Sequence, residues 1–212
     1  MDSLGAAPDP AQLPDLRADA GGDDVVHLGG PLWRIYTSAG PDAATGPIFR
    51  TWGPSAGGRF DPHPRPVSDT SGESVLYAAT DLVTAVAEAY QETRLVERIA
   101  RAPRLAVWHP TRAVRLLNLT GTWPMRAGAG GLINTGRRAV SQQWARAIRS
   151  RWPELDGVLH RSSVTQTATC VTLWAPASDT VPPALSLDRA LTDPSILPWL
   201  VAACTQTGYD LG

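Results

Sequence analysis

VLYAATDLVTAVAEAY, residues 75–90, changes its hydrophobic period part-way through. The opening VLYAA is a short apolar run of strand type. Beyond it, the apolar positions 82, 85, 86, 89 and 90 fall on one face of a helix. Thr80 stands where an N-cap would, and the helix is expected to continue through DLVTAVAEAYQETRLVERIA as the main helix of the chain, between residues 80 and 100. Within this largely apolar unit stand Tyr77, in the strand, and Glu88, in the middle of the helix. A carboxylate in such surroundings is either solvated or held by specific partners, because burying it unpaired is costly.

Working outward, the pattern alternates between strand and helix. On the N-terminal side PLWRIYT (31–37) is strand-like, and residues 50–73 form a long loop rich in Gly, Pro, Ser and Asp that carries GGRF (57–60). On the C-terminal side RLAVWHP and AVRLLNL are two strands joined by a turn at Pro110 and Thr111. GRRAVSQQWARAIRSRW (136–152) is an amphipathic helix that stops at Pro153. LDGVLHRSS and TATCVTLWA are further strands with a polar hinge at 164–167, and ILPWLVAAC is a short apolar segment near the end. Residues 1–24, rich in Asp, Ala, Pro and Gly, are expected to be a flexible tail, and 25–212 a single mixed α and β domain.

The bulk numbers remove several functions. A net charge of −1 offers no electrostatic reason for a nucleic acid or membrane partner. The 19 basic residues are all arginine, which excludes lysine-based covalent chemistry and a phosphate-loop lysine. Two cysteines cannot build a disulfide framework or a four-cysteine zinc site, and the four histidines are scattered, so no metal is expected. Without a signal sequence or a long apolar run, the chain is expected to be soluble and cytoplasmic.

Arg59, Tyr77 and Glu88 each have an ordinary reading alone: surface arginine, strand aromatic, solvated glutamate. Together they supply a planar cation for phosphate, an aromatic face for a heterocycle and an acceptor for ribose hydroxyls, which are the parts of a dinucleotide. LWRIY, GGRFDP, VLYAATDLVTAVAE and DGVLHRSS occur in the order of the RES domain family, and from about residue 31 to about residue 174 the chain resembles that family. The resemblance implies an α+β, ADP-ribosyltransferase-like fold with mixed sheets and flanking helices. It implies consumption of NAD by hydrolysis or by phosphorolysis with inorganic phosphate, with no cofactor required. It also implies a toxin role beside a helix-turn-helix (Xre-type) antitoxin.

Carried over residue by residue, the family's central arginine falls on Arg59, its tyrosine on Tyr77 and its glutamate on Glu88. Its serine falls on Ser162, with Ser163 the adjacent alternative, and Arg34 in LWRIY is the arginine that opens the domain. The chain departs from the family at His160, where tyrosine is common, and at Phe60-Asp61, where Trp-Asn is frequent. The implied roles are a diphosphate clamp for Arg59 with Arg34, ring packing for Tyr77, and orientation of a phosphate or of the arginine for Ser162. Glu88 would stabilise the oxocarbenium-like transition state that forms when the nicotinamide–ribose bond breaks. Transfer of ADP-ribose to a protein, or nucleotide or antitoxin binding without catalysis, are the other readings the residues allow.

Overall fold

The computed structural model describes residues 8–17, 23–41, 43–55, 57–165 and 167–212. Its strands are β1 (Val25–Leu28), β2 (Leu32–Thr37), β3 (Trp52–Gly53), β4 (Ser68–Asp69), β5 (Val75–Ala79), β6 (Leu95–Val96), β7 (Pro103–Trp108), β8 (Val114–Asn118), β9 (Gly157–Arg161), β10 (Thr169–Trp174), β11 (Leu187–Ala190) and β12 (Asp210–Leu211). Its α-helices are α1 (Leu82–Ala89), α2 (Trp123–Arg126), α3 (Leu132–Thr135), α4 (Arg138–Arg151) and α5 (Leu197–Thr207). Eight strands form one sheet in the order β1-β8-β9-β10-β5-β2-β7-β11. All its pairings are antiparallel except β8 with β9.

Side chains alternate across this sheet, as strand geometry requires. Leu32, Leu76, Ala78, Trp108, Leu116, Val171 and Leu173 build a core on one face. The opposite face carries two separate cores. One packs Val75, Leu117, Val158 and Trp174 beneath Trp123, Trp144 and Ile148 of α2 and α4. The other packs Leu105 and Val107 beneath Val86 of α1 and Leu200 and Ala203 of α5. A cleft lies between them.

That cleft follows from strand pairing. β2 pairs with β7 along its whole length, but it meets β5 only at Trp33 and Ala79. The sheet is thus two halves hinged at one pair, and α1 leaves β5 at that hinge.

Several expectations need correction. The helix after Ala79 is α1, ending at Ala89 rather than near residue 100, and the longest helix is α4. Asp81, not Thr80, is its N-cap: Asp81 Oδ1 accepts from the Thr84 N–H at 2.8 Å and Oδ2 from the Thr84 hydroxyl at 2.7 Å. Thr80 is unavailable, since its hydroxyl bonds to Thr169 of β10. Leu95 and Val96 leave the helical pattern because they pair, in parallel, with Asp210 and Leu211. β7 and β8 are strands as expected, but they lie in different parts of the sheet. The segment ILPWLVAAC is largely helical, as α5.

Within the expected flexible tail, residues 8–17 are docked: Leu13 is buried in the α4 core, and the Trp123 indole N–H donates to the Pro14 carbonyl at 3.3 Å. The rest of that tail up to residue 22 lies outside the described residues.

Candidate active site

Where β2 and β5 part, backbone groups that a continuous sheet would pair need other partners. Arg34 supplies one: its Nη1 donates to the Tyr77 carbonyl at 2.5 Å, bridging the opened strands. Burial lowers the Arg34 pKa to about 10, so the guanidinium stays charged at neutral pH. Its Nε is buried with no hydrogen-bond partner among the described residues.

The cleft encloses a cavity of about 350 Å³. Arg34 and Trp33 of β2, Tyr77 of β5, Glu88 of α1, and Arg59 from the loop before β4 all line it. Ser163 also reaches the wall, while Ser162 sits behind Glu88, fully buried. The structure therefore brings the residues singled out in the sequence to one place.

Glu88 is held from behind. The Ser162 hydroxyl donates to Glu88 Oε1 at 2.6 Å, and the Ser163 N–H donates to the same oxygen at 3.0 Å. Ser162 Oγ in turn accepts from the N–H groups of Val164 and Thr165, both at 3.1 Å. The turn after β9 thus fixes the serine, and the serine fixes the carboxylate. Ser162 does not bond to Arg59, the partner expected for it as one alternative: its hydroxyl goes to Glu88, and Arg59 bonds instead to Gly136 and Ser141. Beside the carboxylate, the Cys170 thiol has its pKa pushed well up by burial and by Glu88.

The arginine loop is wound around Asp61. This buried carboxylate accepts from the Ser55 N–H at 2.8 Å, from Arg50 Nη2 at 2.5 Å, and from the His63 ring Nδ1 at 2.6 Å. Burial alone would raise its pKa, but the Ser55 N–H, Arg50 and His63 outweigh it and hold the carboxyl below its usual range. Gln142 of α4 ties down the same loop, donating to the Ser55 and Gly58 carbonyls at 2.8 Å each. At Gly58 no side chain fits, since a Cβ there would lie 2.3 Å from the Tyr77 hydroxyl. The loop closes directly onto Tyr77 and carries Arg59 past it. Arg59 Nη1 then donates to the Gly136 carbonyl at 2.6 Å and to Ser141 Oγ at 3.3 Å, at the start of α4.

The RES domain model matches residues 31–193, which includes every one of these side chains and most of the chain. The chain belongs to the RES domain family. A chain of the crystal structure of the M. tuberculosis MbcT–MbcA toxin–antitoxin complex is similar in fold, with a TM-score of 0.56 and 17% identity over 84% of this chain and 92% of that one. No curated protein matches the sequence. The fold is α+β, with a large mixed sheet and flanking helices, as the resemblance implied.

In this RES chain His160 takes the place where tyrosine is common in the family. Its ring is buried against Phe60, with centroids 4.6 Å apart. Nδ1 faces the Arg161 carbonyl at 3.0 Å, which can only accept, so Nδ1 carries the proton and Nε2 accepts from Thr172 Oγ1 at 3.0 Å. Burial is the main cause that lowers its pKa to about 4, leaving a neutral imidazole in the cavity wall.

Sequence reading missed Trp33, Arg50, Asp61 and Arg138. Asp61 stands inside the quoted GGRFDP motif, and an acid there beside Pro and His was a readable sign of a loop organiser. Arg138 had a subtler signal, two arginines opening a helix where acids are favoured.

Proposed function

We propose that this RES protein cleaves the nicotinamide–ribose bond of NAD. The observation that carries the reading is the Glu88 carboxylate: Oε1 is fixed by Ser162 and Ser163, while the group lines a cavity rich in arginine. Nicotinamide leaves with the bonding electron pair and becomes neutral, while positive charge develops on the ribose. A preorganised carboxylate stabilises that charge more than it stabilises bound NAD, and so lowers the barrier. Arg34 and Arg59 hold the diphosphate, with the unpartnered Arg34 Nε as one available donor. Tyr77 packs beside the nicotinamide ring. Ser162 acts through Glu88 and is a positioning residue.

Water adding to the ribosyl cation yields ADP-ribose and a proton. Inorganic phosphate adding at the same carbon yields ADP-ribose with a phosphate on that ribose. We further propose that NAD loss is the toxic activity of a toxin–antitoxin pair, with a helix-turn-helix antitoxin of Xre type as partner. This rests on family membership and on the fold shared with a chain of a toxin–antitoxin complex. No helix among the described residues is long and apolar enough to cross a membrane. A cytoplasmic location, with access to the NAD pool, belongs to the proposal.

The test is incubation of purified protein with NAD in buffers with and without inorganic phosphate, with products resolved by chromatography. NAD loss yielding free nicotinamide supports the reading, and dependence on phosphate separates phosphorolysis from hydrolysis. Stable NAD in both buffers, with folded protein, overturns it.

A further inference from the structure

The start of α4 breaks the usual electrostatic rule for helices. A helix N-terminus carries partial positive charge and favours acids and side-chain caps. Here the N-cap position is Arg137, no side chain caps the helix, and the first turn holds no acid. Arg138 opens the helix and lines the cavity, exposed at its mouth, and it makes no hydrogen bond or ion pair among the described residues. The Arg59 guanidinium is brought to the same turn by its bonds to Gly136 and Ser141. Burial and then the nearby Arg138 charge lower the Arg59 pKa, with Glu88 the opposing influence. Two cationic side chains and the positive end of a helix thus converge on one side of the cavity. An anion is the partner this convergence lacks.

We propose that Arg138, Arg59 and the first turn of α4 form the subsite for a phosphate group, either one from the dinucleotide's diphosphate or free inorganic phosphate. The inference rests on the NAD reading above and assigns Arg138 as a substrate-binding residue beyond the RES motif positions. Arg138 would supply a charge-assisted contact at the mouth, Arg59 would face it from the loop, and the N–H groups at the helix start would complete the cradle.

The test compares wild type, Arg138→Gln and, as a control, Arg189→Gln, whose arginine is exposed and does not line the cavity. ADP-ribose and inorganic phosphate are titrated separately by calorimetry, and NAD turnover is measured alongside. Arg138→Gln is expected to weaken one or both probes by about tenfold or more, while the control matches wild type. Loss confined to ADP-ribose identifies the diphosphate as occupant, and loss confined to phosphate identifies the co-substrate. Wild-type binding by Arg138→Gln, an equal loss in the control, or no binding of either probe by wild type would overturn the subsite. Arg138-dependent binding in a protein that leaves NAD intact would keep the subsite and remove the NAD reading. NAD turnover with no Arg138 effect would do the reverse.

Discussion

The Ser162 hydroxyl and the Glu88 carboxylate, 74 residues apart in the chain, meet at 2.6 Å. The contact joins the turn after β9 to the last turn of α1, behind the wall of the cleft that the parting of β2 and β5 leaves. Because Ser162 Oγ also accepts from Val164 and Thr165, the same atom secures the turn and aims the carboxylate.

Ser162→Ala should therefore act on two quantities. Turnover of NAD is expected to fall about tenfold with KM nearly unchanged, since the lost bond orients a group that acts in the transition state. Stability should fall by about 1–2 kcal/mol, because the turn loses an acceptor in a buried position. Steady-state kinetics and urea unfolding check the two effects separately, and an unchanged kcat would remove the positioning role.

Gly58→Ala probes the contact between the arginine loop and Tyr77. The new Cβ would stand 2.3 Å from the Tyr77 hydroxyl and 3.2 Å from Asp61 Cβ, so the loop must move away. We expect roughly 1–3 kcal/mol of destabilisation and a tenfold or greater loss of NAD affinity from displaced Arg59. Calorimetric NAD binding with thermal unfolding tests this, and a variant equal to wild type in both would show that the loop does not position Arg59.

Much of this arrangement was legible in the sequence where the signals are local. The change of period between VLYAA and the residues after Thr80 marks β5 and α1, and the glycines before Arg59 mark a loop that approaches another group closely. What was not legible depends on contacts distant in the chain. Thr80 and Asp81 are both good caps, and only the bond from Thr80 to Thr169 of β10 decides between them. The end of α1 depends on pairing of Leu95 and Val96 with the C-terminal Asp210 and Leu211. Ser162 next to Ser163 reads as an equivalent pair. Burial separates them: Ser162 uses its hydroxyl on Glu88, whereas Ser163 offers its N–H.

His160 sets a pH dependence. Its pKa is about 4 in the folded chain against an ordinary 6.5, so the neutral ring is the form the fold accepts. The corresponding stability is fully present above pH 6.5 and is lost as pH falls towards 4, about 3 kcal/mol for a fully buried ring. Urea unfolding at stepped pH should show this fall in wild type and a flatter profile in His160→Gln. Equal slopes in the two proteins would rule His160 out as the source.

The most direct test of the account is NAD turnover by Glu88→Gln beside wild type, with NAD binding measured on both proteins. Gln keeps the size of the side chain and an acceptor for Ser162 but removes the charge that stabilises the ribosyl cation. The account predicts a rate at least about a hundredfold lower with NAD affinity changed only a few-fold. A folded Glu88→Gln protein that consumes NAD at the wild-type rate would contradict it.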